Sequence, residues 1–284
     1  MMTPLTAPSQ AAYAYDVLAP YYDDFTAGYA YERWIEAIED RAAALGLSGR
    51  RALDLACGTG KSTGELIARG YSVLACDISP GMVEQAQRRY PEHRDRFLVA
   101  DMRDLPELGE FDLVLCLDDA VNYLLSADEL EAAFSCAARV LAPAGVFVFD
   151  VNSLLTYRTT FSLDTVREGD GVLLAWKGES EPTFARGEIG AATVEIFVNR
   201  EDGLWERRSM RHVQRHHPPD AIRSALAAAG LECVVAGQHP GARLEDGFDD
   251  ECHIKLVYFA RHGSACRQQG GGDQHEHRGT LSVD

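Results

Sequence analysis

The sequence predicts an α/β protein with a doubly wound, seven-stranded and mostly parallel sheet, an N-terminal helical lid and a small antiparallel β insertion. Three observations predict this fold. Continuous apolar runs, typical of strands buried on both faces of a parallel sheet, lie at 51–56, 72–77, 96–101, 111–118 and 145–151. Amphipathic segments typical of helices separate them, near 62–69, 80–89 and 127–141. Between about 163 and 216 an alternation of period two replaces this rhythm and indicates antiparallel strands.

Each element has a local reason in the sequence. In "YERWIEAIEDRAAALG" the helical spacing places Trp34, Ile35, Ile38 and Ala42 near one face, and Gly46 ends the helix. Ser79-Pro80 is typical of a helix N-cap followed by a first-turn proline, and Ser126 to Glu129 of a capping box. The chain divides into six segments: a flexible tail (1–12), a helical lid (13–46), a sheet core (47–162), an insertion (163–216), the end of the core (217–262) and a disordered tail (263–284). His275 and His277 in the last segment are expected to be solvated.

Composition narrows the class of partner. The formal charge of −17 disfavours nucleic acid and anionic membranes, because both require a basic surface. The seven cysteines are widely spaced without a C-x-x-C pair, which predicts neither a zinc site nor a disulfide framework. The N-terminus lacks a signal-peptide pattern, and no apolar run approaches the length of a membrane span. We therefore expect a cytoplasmic protein with a small-molecule partner.

The stretch "ALDLACGTGKSTG" (52–64) contains fragments of two phosphate-binding motifs but completes neither. A P-loop would require glycine five residues before Gly60, where Leu55 stands. A dinucleotide fingerprint would require its third glycine at position 63, which is Thr63. Both a nucleoside-triphosphate hydrolase and a nicotinamide oxidoreductase are thereby disfavoured.

The combination of "DLACGTG", "CDISPGM" and "ADMRDLP" resembles the class I S-adenosylmethionine-dependent methyltransferases, closely over 50–150 and in layout over 10–262. The resemblance implies a Rossmann-like core and S-adenosylmethionine as cofactor. It implies that Asp77 accepts hydrogen bonds from the ribose hydroxyls, that Ile78 and Met82 flank the adenine, that Asp101 accepts from the adenine amino group and that Met102 packs on the ring. Further residues expected near the cofactor are Tyr15, Tyr22, Trp34, Asp54, Ala56, Gly58, Gly60 and Leu117.

Some of these assignments leave alternatives open. Asp54 either caps a helix or contacts the cofactor directly, and Trp34 belongs either to the core or to the site. Ala56 stands where many relatives have glycine. Glycine is favoured there because it lets the backbone pass close to the amino-acid part of the cofactor.

The segment after the fourth strand, "LDDAVNYL" (117–124), lacks the proline and aromatic clamp of methyltransferases that act on nucleic-acid bases and resembles small-molecule methyltransferases instead. Asp118, Asp119 and Asn122 are expected where the substrate enters, and the alternative is that Asp119 and Asn122 merely cap the next turn. A metal-dependent site is disfavoured, because the acid–Asn pair that it requires would be Asp150 and Asn152, which Val151 separates. We predict no metal.

Tyrosines crowd the stretch "YAYDVLAPYYDDFTAGYAYERW" (13–34), which resembles the lid of small-molecule N-methyltransferases, including the glycine N-methyltransferase type and antibiotic amine methyltransferases. The resemblance implies that Tyr15, Tyr22 and Tyr31 surround the sulfonium and the substrate, where aromatic faces favour a cationic centre. The alternative is a helix that packs aromatic side chains onto the sheet.

The insertion is expected to provide a second wall. In "RRSMRHVQRHH" the alternation places Arg208, Met210, His212, Gln214 and His216 on one face, although a fully polar exposed strand is the alternative. The candidate catalytic residues are Tyr22, His212 and Glu32. Residues expected to bind the substrate are Tyr31, Asp118, Asn122, Asn152, Trp176 and Gln214.

Together these features predict a methyltransferase for a small, aromatic or amine-bearing acceptor of secondary metabolism such as antibiotic biosynthesis. Nitrogen is the first choice for the methylated atom, an electron-rich, indole-like ring carbon the second and a hydroxyl oxygen the third. A non-catalytic S-adenosylmethionine-binding protein is the alternative of another class. A homodimer is compatible with the sequence.

Overall fold

The computed structural model describes residues 9–263, which form two sheets. The large sheet has the strand order β11-β10-β12-β5-β4-β1-β2-β3. Its strands are β1 (Arg51–Leu55), β2 (Ser72–Asp77), β3 (Phe97–Val99), β4 (Phe111–Cys116), β5 (Leu141–Asn152), β10 (Leu231–Gln238), β11 (Leu244–Asp246) and β12 (Lys255–His262). The predicted α/β, doubly wound architecture is confirmed.

The first five strands of this sheet are parallel, and β10, β11 and β12 add to it antiparallel. The chain order runs from β1 outward to β3 and then returns to β4 on the other side of β1, which creates a crevice at the carboxyl ends of these strands. The predicted count of seven strands was wrong, because the sheet has eight. The additional strand, β11, is a three-residue edge strand without an apolar run, and the period of the sequence therefore did not reveal it.

Eight α-helices surround the sheets in the described part of the chain: α1 (Gln10–Leu18), α2 (Tyr22–Phe25), α3 (Tyr31–Ala44), α4 (Lys61–Ala68), α5 (Pro80–Arg89), α6 (Ala127–Val140), α7 (Leu154–Arg158) and α8 (Pro219–Ala228). The Ser79 hydroxyl caps α5 by accepting from the amide of Met82, and Ser126 with Glu129 forms the predicted capping box of α6. Over residues 9–263, no helix combines the length and the apolarity that crossing a membrane requires.

The N-terminal helices pack on two different surfaces. Trp34, Ile35, Ile38 and Ala42 of α3 are buried against one face of the large sheet. Helix α1 instead contacts the insertion, where Leu18 joins an apolar cluster with small-sheet residues. It begins at Gln10, capped by Ser9, so residues 10–12 are helical rather than part of a flexible tail. His275 and His277 lie outside the described residues.

The small sheet lies in the chain between β5 and α8 and is antiparallel throughout, in the order β6-β7-β8-β9. Its strands are β6 (Asp164–Gly169), β7 (Val172–Gly178), β8 (Ile189–Asn199) and β9 (Trp205–Arg215). On β9 the side chains of Met210, His212 and Gln214 are buried, whereas those of Arg207 and Arg211 are exposed. The strand therefore turns one face inward, toward the lid and the ends of the large sheet.

Candidate active site

The glycine-rich turn after β1 depends on three residues with left-handed backbone conformations. Ala56, Gly58 and Gly60 all have positive φ, at 55°, 53° and 81°. A Cβ at Gly60 would lie 3.1 Å from the Tyr90 ring and 3.2 Å from the Phe97 ring. Gly60 therefore faces the core below the turn, and its expected contact with the cofactor is not part of the cleft lining.

Asp77, the last residue of β2, holds this turn in place. Its Oδ2 accepts from the amide of Gly58 at 2.9 Å, and its Oδ1 accepts from the amide of Ser79 at 2.9 Å. Burial raises the pKa of its carboxyl to about 6, although the amide hydrogen bonds oppose the shift. Its partners here are amides rather than a cationic side chain, so the carboxylate retains lone pairs for ligand hydroxyls.

A cleft of about 1370 Å³, its open mouth included, lies over the carboxyl ends of the parallel strands. Many residues expected at the cofactor line it: Tyr15, Tyr22, Ala56, Gly58, Asp77, Ile78, Asp101, Met102 and Leu117. Tyr31 and Asp118, expected at the substrate, line it too. A buried carboxylate, a close glycine backbone and the Met102 side chain suit the ribose, amino-acid and adenine parts of S-adenosylmethionine.

Three other residues expected at the cofactor do not line this cleft. The carboxylate of Asp54 accepts from the side-chain hydroxyls of Ser62 at 2.7 Å and Thr63 at 2.6 Å, in the first turn of α4. It does not cap that helix, because the N-cap residue is Gly60 and the helix has no side-chain cap. Trp34 is buried among core residues, with Lys255 Nζ 5.4 Å from its ring centre. Met82 is fully buried, because its position on α5 faces the sheet.

Asp101 lies in the cleft, but its oxygens already have partners. Arg103 donates to Oδ1 from Nε at 3.0 Å and to Oδ2 from Nη2 at 2.6 Å. Burial acts to raise the pKa of this carboxyl, but the hydrogen bonds and charge of Arg103 outweigh it and lower the pKa. The expected role as acceptor for an adenine amino group therefore competes with an ion pair, which the sequence did not reveal.

A second cavity, of about 1160 Å³ with its opening, lies between the lid, β9 and the loops that follow β4 and β5. Aromatic side chains form much of its wall: Tyr15, Tyr22, Phe25, Tyr29, Tyr123, Phe161 and Trp176. Polar groups from Asn152, His212, Gln214 and Lys255 complete it. Four residues line both cavities, namely Tyr15, Tyr22, Asp118 and Tyr123, so the two spaces meet there.

His212 is anchored in a short hydrogen-bonded chain. Its Nδ1 lies 2.8 Å from Oη of Tyr123, which in turn lies 3.0 Å from Oη of Tyr15. Burial lowers the pKa of His212 to about 4, so the imidazole is neutral at neutral pH. Its Nε2 is buried without a hydrogen-bond partner. The third catalytic candidate, Glu32, is exposed on α3 and lines neither cavity, so its expected role as a base was wrong.

A buried ion cluster joins the floors of the two cavities. Nζ of Lys255 lies 3.0 Å from Asp118 Oδ1, 2.7 Å from Asp119 Oδ1 and 2.8 Å from Asp150 Oδ2. Burial lowers the pKa of Lys255, but the three carboxylates outweigh it and hold the pKa well above its usual value. The other oxygen of Asp118, Oδ2, receives the hydroxyls of Tyr31 at 3.2 Å and Tyr22 at 3.4 Å.

Sequence reasoning missed Lys255, and its only signal was the scarcity of lysine in the chain. The backbone of the loop after β4 explains the shape of the cluster. Asp118 and Asp119 have positive φ, and both of their amides donate to the Asp150 carboxylate. Asp150 is therefore occupied by two amides and an ammonium group, unlike the metal-binding acid that the sequence analysis considered.

Asn122 is buried and links two backbone segments by hydrogen bonds, so it does not contact the substrate space. Its Nδ2 donates to the carbonyl of Arg215, its Oδ1 accepts from the amide of Asn152, and it lines neither cavity. Asn152 and Gln214, by contrast, lie in the second cavity, where Asn152 Nδ2 donates to Gln214 Oε1 at 2.9 Å. Gln214 then donates to Asp119 at 2.6 Å, which connects β9 to the ion cluster.

The lid is tied to the glycine turn through Lys61, the first residue of α4. Its Nζ donates to Oγ1 of Thr26 at 2.7 Å and lies 3.5 Å from Asp23. The Thr59 hydroxyl also donates to Asp23, at 2.7 Å. The loop that follows β1 thus holds the end of α2 over the cleft.

This fold and site define a class of protein, the class I S-adenosylmethionine-dependent methyltransferases. Residues 52–145 match a family model described as a methyltransferase domain. YqeM of Bacillus subtilis (strain 168), named as a methyltransferase, is 34% identical over 226 residues, which are 77% of this chain and 86% of that protein. The chain belongs to this methyltransferase family, and its cofactor is S-adenosylmethionine.

Two further similarities involve proteins with named substrates. A malonyl-acyl-carrier-protein O-methyltransferase of Hahella chejuensis (strain KCTC 2396) is 30% identical over 218 residues, 74% of this chain and 76% of that protein. The crystal structure of the sugar N-methyltransferase KedS8 from Streptoalloteichus sp ATCC 53650 superposes with a TM-score of 0.67 at 23% identity, covering 93% of this chain and 98% of that one. The latter likeness concerns the fold.

Proposed function

We propose that this enzyme transfers a methyl group to a nitrogen atom of a small, amine-bearing acceptor. The cofactor would occupy the cleft and the acceptor the aromatic cavity beside it. The observation that carries the proposal is the position of Asp118. This buried carboxylate lines both cavities and receives the hydroxyls of Tyr22 and Tyr31, so it lies where donor and acceptor would meet.

For the cofactor, Asp77 would hold the ribose hydroxyls, and Ile78 and Met102 would flank the adenine. The backbone around Gly58 would contact the amino-acid part. S-adenosylmethionine supplies an electrophilic methyl group on a positively charged sulfur. The tyrosine faces at the junction favour such a cation, because aromatic rings attract positive charge. These assignments are based on the positions of Gly58, Asp77, Ile78 and Met102 in the lining of the cleft.

An amine acceptor fits the charges at the junction. An amine must be neutral to attack a methyl group, and the transfer leaves a nitrogen that loses a proton. Burial raises the pKa of Asp118, partly opposed by Lys255, which makes its carboxylate a better proton acceptor than an exposed one. Asp118 would thus orient the amine and accept its proton.

The neutral imidazole of His212 suits binding better than general-base catalysis, because a base with a pKa of about 4 is weak at neutral pH. With Nδ1 engaged by Tyr123, Nε2 remains for a polar group of the acceptor. Alignment of nucleophile and methyl group in a closed cavity would supply most of the rate enhancement.

An electron-rich ring carbon is the second candidate for the methylated atom. The specific observation is the aromatic wall, where Trp176 lies nearly parallel to Phe25 with ring centres 6.3 Å apart. Such a wall suits a flat acceptor as well as an aminosugar.

The test uses S-adenosylmethionine labelled with ¹³C in the transferred methyl group. Matched acceptors differ only in the reacting group: an aminosugar and its hydroxyl counterpart, and an indole with and without an aliphatic amine. The chemical shift of the product methyl distinguishes nitrogen, carbon and oxygen. Turnover of the amine member of each pair, reduced in Asp118→Asn, is the expected result. Methylation of the hydroxyl counterparts alone would overturn the proposal.

A further inference from the structure

At the edge of the large sheet, two histidines and a glutamate that line neither cavity converge. His239 follows β10, Glu245 lies in β11, and His253 lies in the loop that precedes β12. One ligand atom from each side chain lies within 4.8 Å of the other two. We propose that His239, Glu245 and His253 bind a divalent transition-metal ion of the zinc type.

His253 provides the independent observation. Its side chain is 7% exposed, and its Nε2 has no hydrogen-bond partner. The amide of Asp249 donates to its other nitrogen, Nδ1, at 2.9 Å, and the carbonyl oxygen of Asp249 lies 3.1 Å from the same nitrogen. An ion on Nε2 requires the proton on Nδ1, where the nearby carbonyl would accept it. Metal-binding histidines commonly donate their second nitrogen to a backbone carbonyl in this way.

The surrounding backbone makes room for this ring. A Cβ at Gly237 would collide with Nε2, Cε1 and Cδ2 of His253, so only glycine allows the imidazole to lie against β10. The ring centre of His239 lies 4.6 Å from that of His253. The strand therefore brings the buried imidazole of His253 next to the partly exposed imidazole of His239 and an acidic side chain.

The ligand set selects the kind of metal. Two imidazoles and one carboxylate suit zinc and its neighbours, whereas calcium and magnesium prefer oxygen ligands. His239 Nε2 and Glu245 Oε2 are already 2.7 Å apart. A tetrahedral ion with bonds of about 2.0–2.1 Å requires ligand atoms roughly 3.3 Å apart. The three ligand atoms lie within 4.8 Å of one another, so rotations of the side chains must separate His239 from Glu245 and adjust both to His253. The side chains of His239 and Glu245 are partly exposed and free to make them.

A bound ion would connect the β10–β11 turn to the loop before β12. It would stabilise the sheet edge and would take no part in methyl transfer, since none of the three residues lines either cavity. The proposal is therefore independent of the acceptor assigned above.

The test is calorimetric titration of the untagged, metal-stripped full-length protein with Zn²⁺, together with its thermal unfolding midpoint. We expect one ion per chain and a higher midpoint with Zn²⁺. His239→Ala and His253→Ala should each weaken binding by about 100-fold, because each removes one of three ligands. His239→Ala is the safer variant for folding, since its side chain is partly exposed.

Two controls complete the experiment. His93→Ala changes a histidine elsewhere on the surface and should bind Zn²⁺ like the wild type. The double variant His275→Ala/His277→Ala removes the histidines of the C-terminal tail and should also bind normally. Unchanged affinity in folded His239→Ala, or loss of the ion only in the tail variant, would overturn the proposal. So would an unchanged unfolding midpoint of the wild type with Zn²⁺.

Discussion

Nζ of Lys255 lies 2.8 Å from Oδ2 of Asp150, deep between the two cavities. The same ammonium group also pairs with Asp118 and Asp119, and the Lys255 side chain is only 14% exposed. Removing one member of a buried ionic group leaves uncompensated charge, which is costlier than the loss of a surface pair.

Lys255→Met should therefore lower the free energy of unfolding by about 3–5 kcal/mol, measured by urea denaturation. The matched control is Lys177→Met, which changes an exposed lysine and should stay within about 0.5 kcal/mol of the wild type. Equal stability of the two variants would mean that the cluster contributes no more than a surface charge.

Asp77→Ala should weaken binding of S-adenosylhomocysteine by about 1–3 kcal/mol, measured by titration calorimetry. The substitution removes the carboxylate proposed for the ribose and also frees the amides of Gly58 and Ser79. Asp95→Ala, at an exposed carboxylate, is the control and should bind normally. An unchanged affinity of Asp77→Ala would refute the ribose assignment.

Asp54 predicts a pH-dependent stability. Burial raises the pKa of its carboxyl to about 6, although the hydroxyls of Thr63 and Ser62 oppose the shift. The unfolded chain has the ordinary value of about 3.9. Between these values the folded protein holds a proton that the unfolded chain has released, so stability increases as the pH falls from 6 to 4.

Asp54→Asn replaces this titrating carboxyl with a neutral amide. The free energy of unfolding of the wild type, minus that of Asp54→Asn, should rise by about 2 kcal/mol between pH 6 and pH 4. Denaturation series at several pH values measure this difference, and Asp95→Asn is the exposed control. A difference that is independent of pH would show that the carboxyl is already ionised at pH 4.

Lys61→Met should loosen the lid, because it removes the ammonium group that holds Thr26 and Asp23. We expect faster dissociation of S-adenosylhomocysteine, by roughly 10-fold, as the loss of one charge-assisted hydrogen bond implies. Stopped-flow fluorescence measures the rate, and Lys177→Met again serves as the control. Hydrogen exchange at residues 22–26 should increase in parallel. Unaltered rates and exchange would assign Lys61 a purely local role.

Tyr22→Phe and His212→Ala should lower turnover by about 10-fold or more while changing cofactor affinity little. Tyr22→Phe keeps the ring in the cleft and removes only the hydroxyl that contacts Asp118, and His212 lines the acceptor cavity alone. The control is Tyr13→Phe, which alters a tyrosine that is 57% exposed on α1. Assays with the acceptor found by the labelling experiment compare the three variants. Wild-type turnover in Tyr22→Phe and His212→Ala would remove both residues from the reaction.

Residues at strand ends were the most predictable part of the site. Asp77, Ile78, Met102 and Asp118 end parallel strands or follow them within three residues, and the structure places all four in the cleft. Neighbouring parallel strands end at the same edge of a sheet, so local sequence is enough to bring such residues together. The β9 alternation was predictable for the same kind of reason, because side chains of a strand alternate strictly between faces.

Residues on helices were less predictable. Trp34 and Met82 face the core, and Glu32 faces solvent, because the packing of a whole helix decides which side chains turn toward a cavity. These three residues lie close in sequence to residues of the site, but that proximity was not enough to place them in it. Asp54 was left open between two roles, and it takes neither, because its carboxylate accepts from the side-chain hydroxyls of Ser62 and Thr63 away from the cleft.

By itself the sequence determined the α/β class, the motifs that follow the parallel strands, and the glycine-rich turn with Asp77 as its acidic partner. These features depend on local periodicity and on residues at strand ends. Only the tertiary structure decided the pairing of Lys255 with Asp118, Asp119 and Asp150, the ion pair of Asp101 and the convergence of His239 with His253. The Lys255 contacts join segments far apart in the chain, and the energies of all these contacts depend on burial and geometry that no local pattern contains.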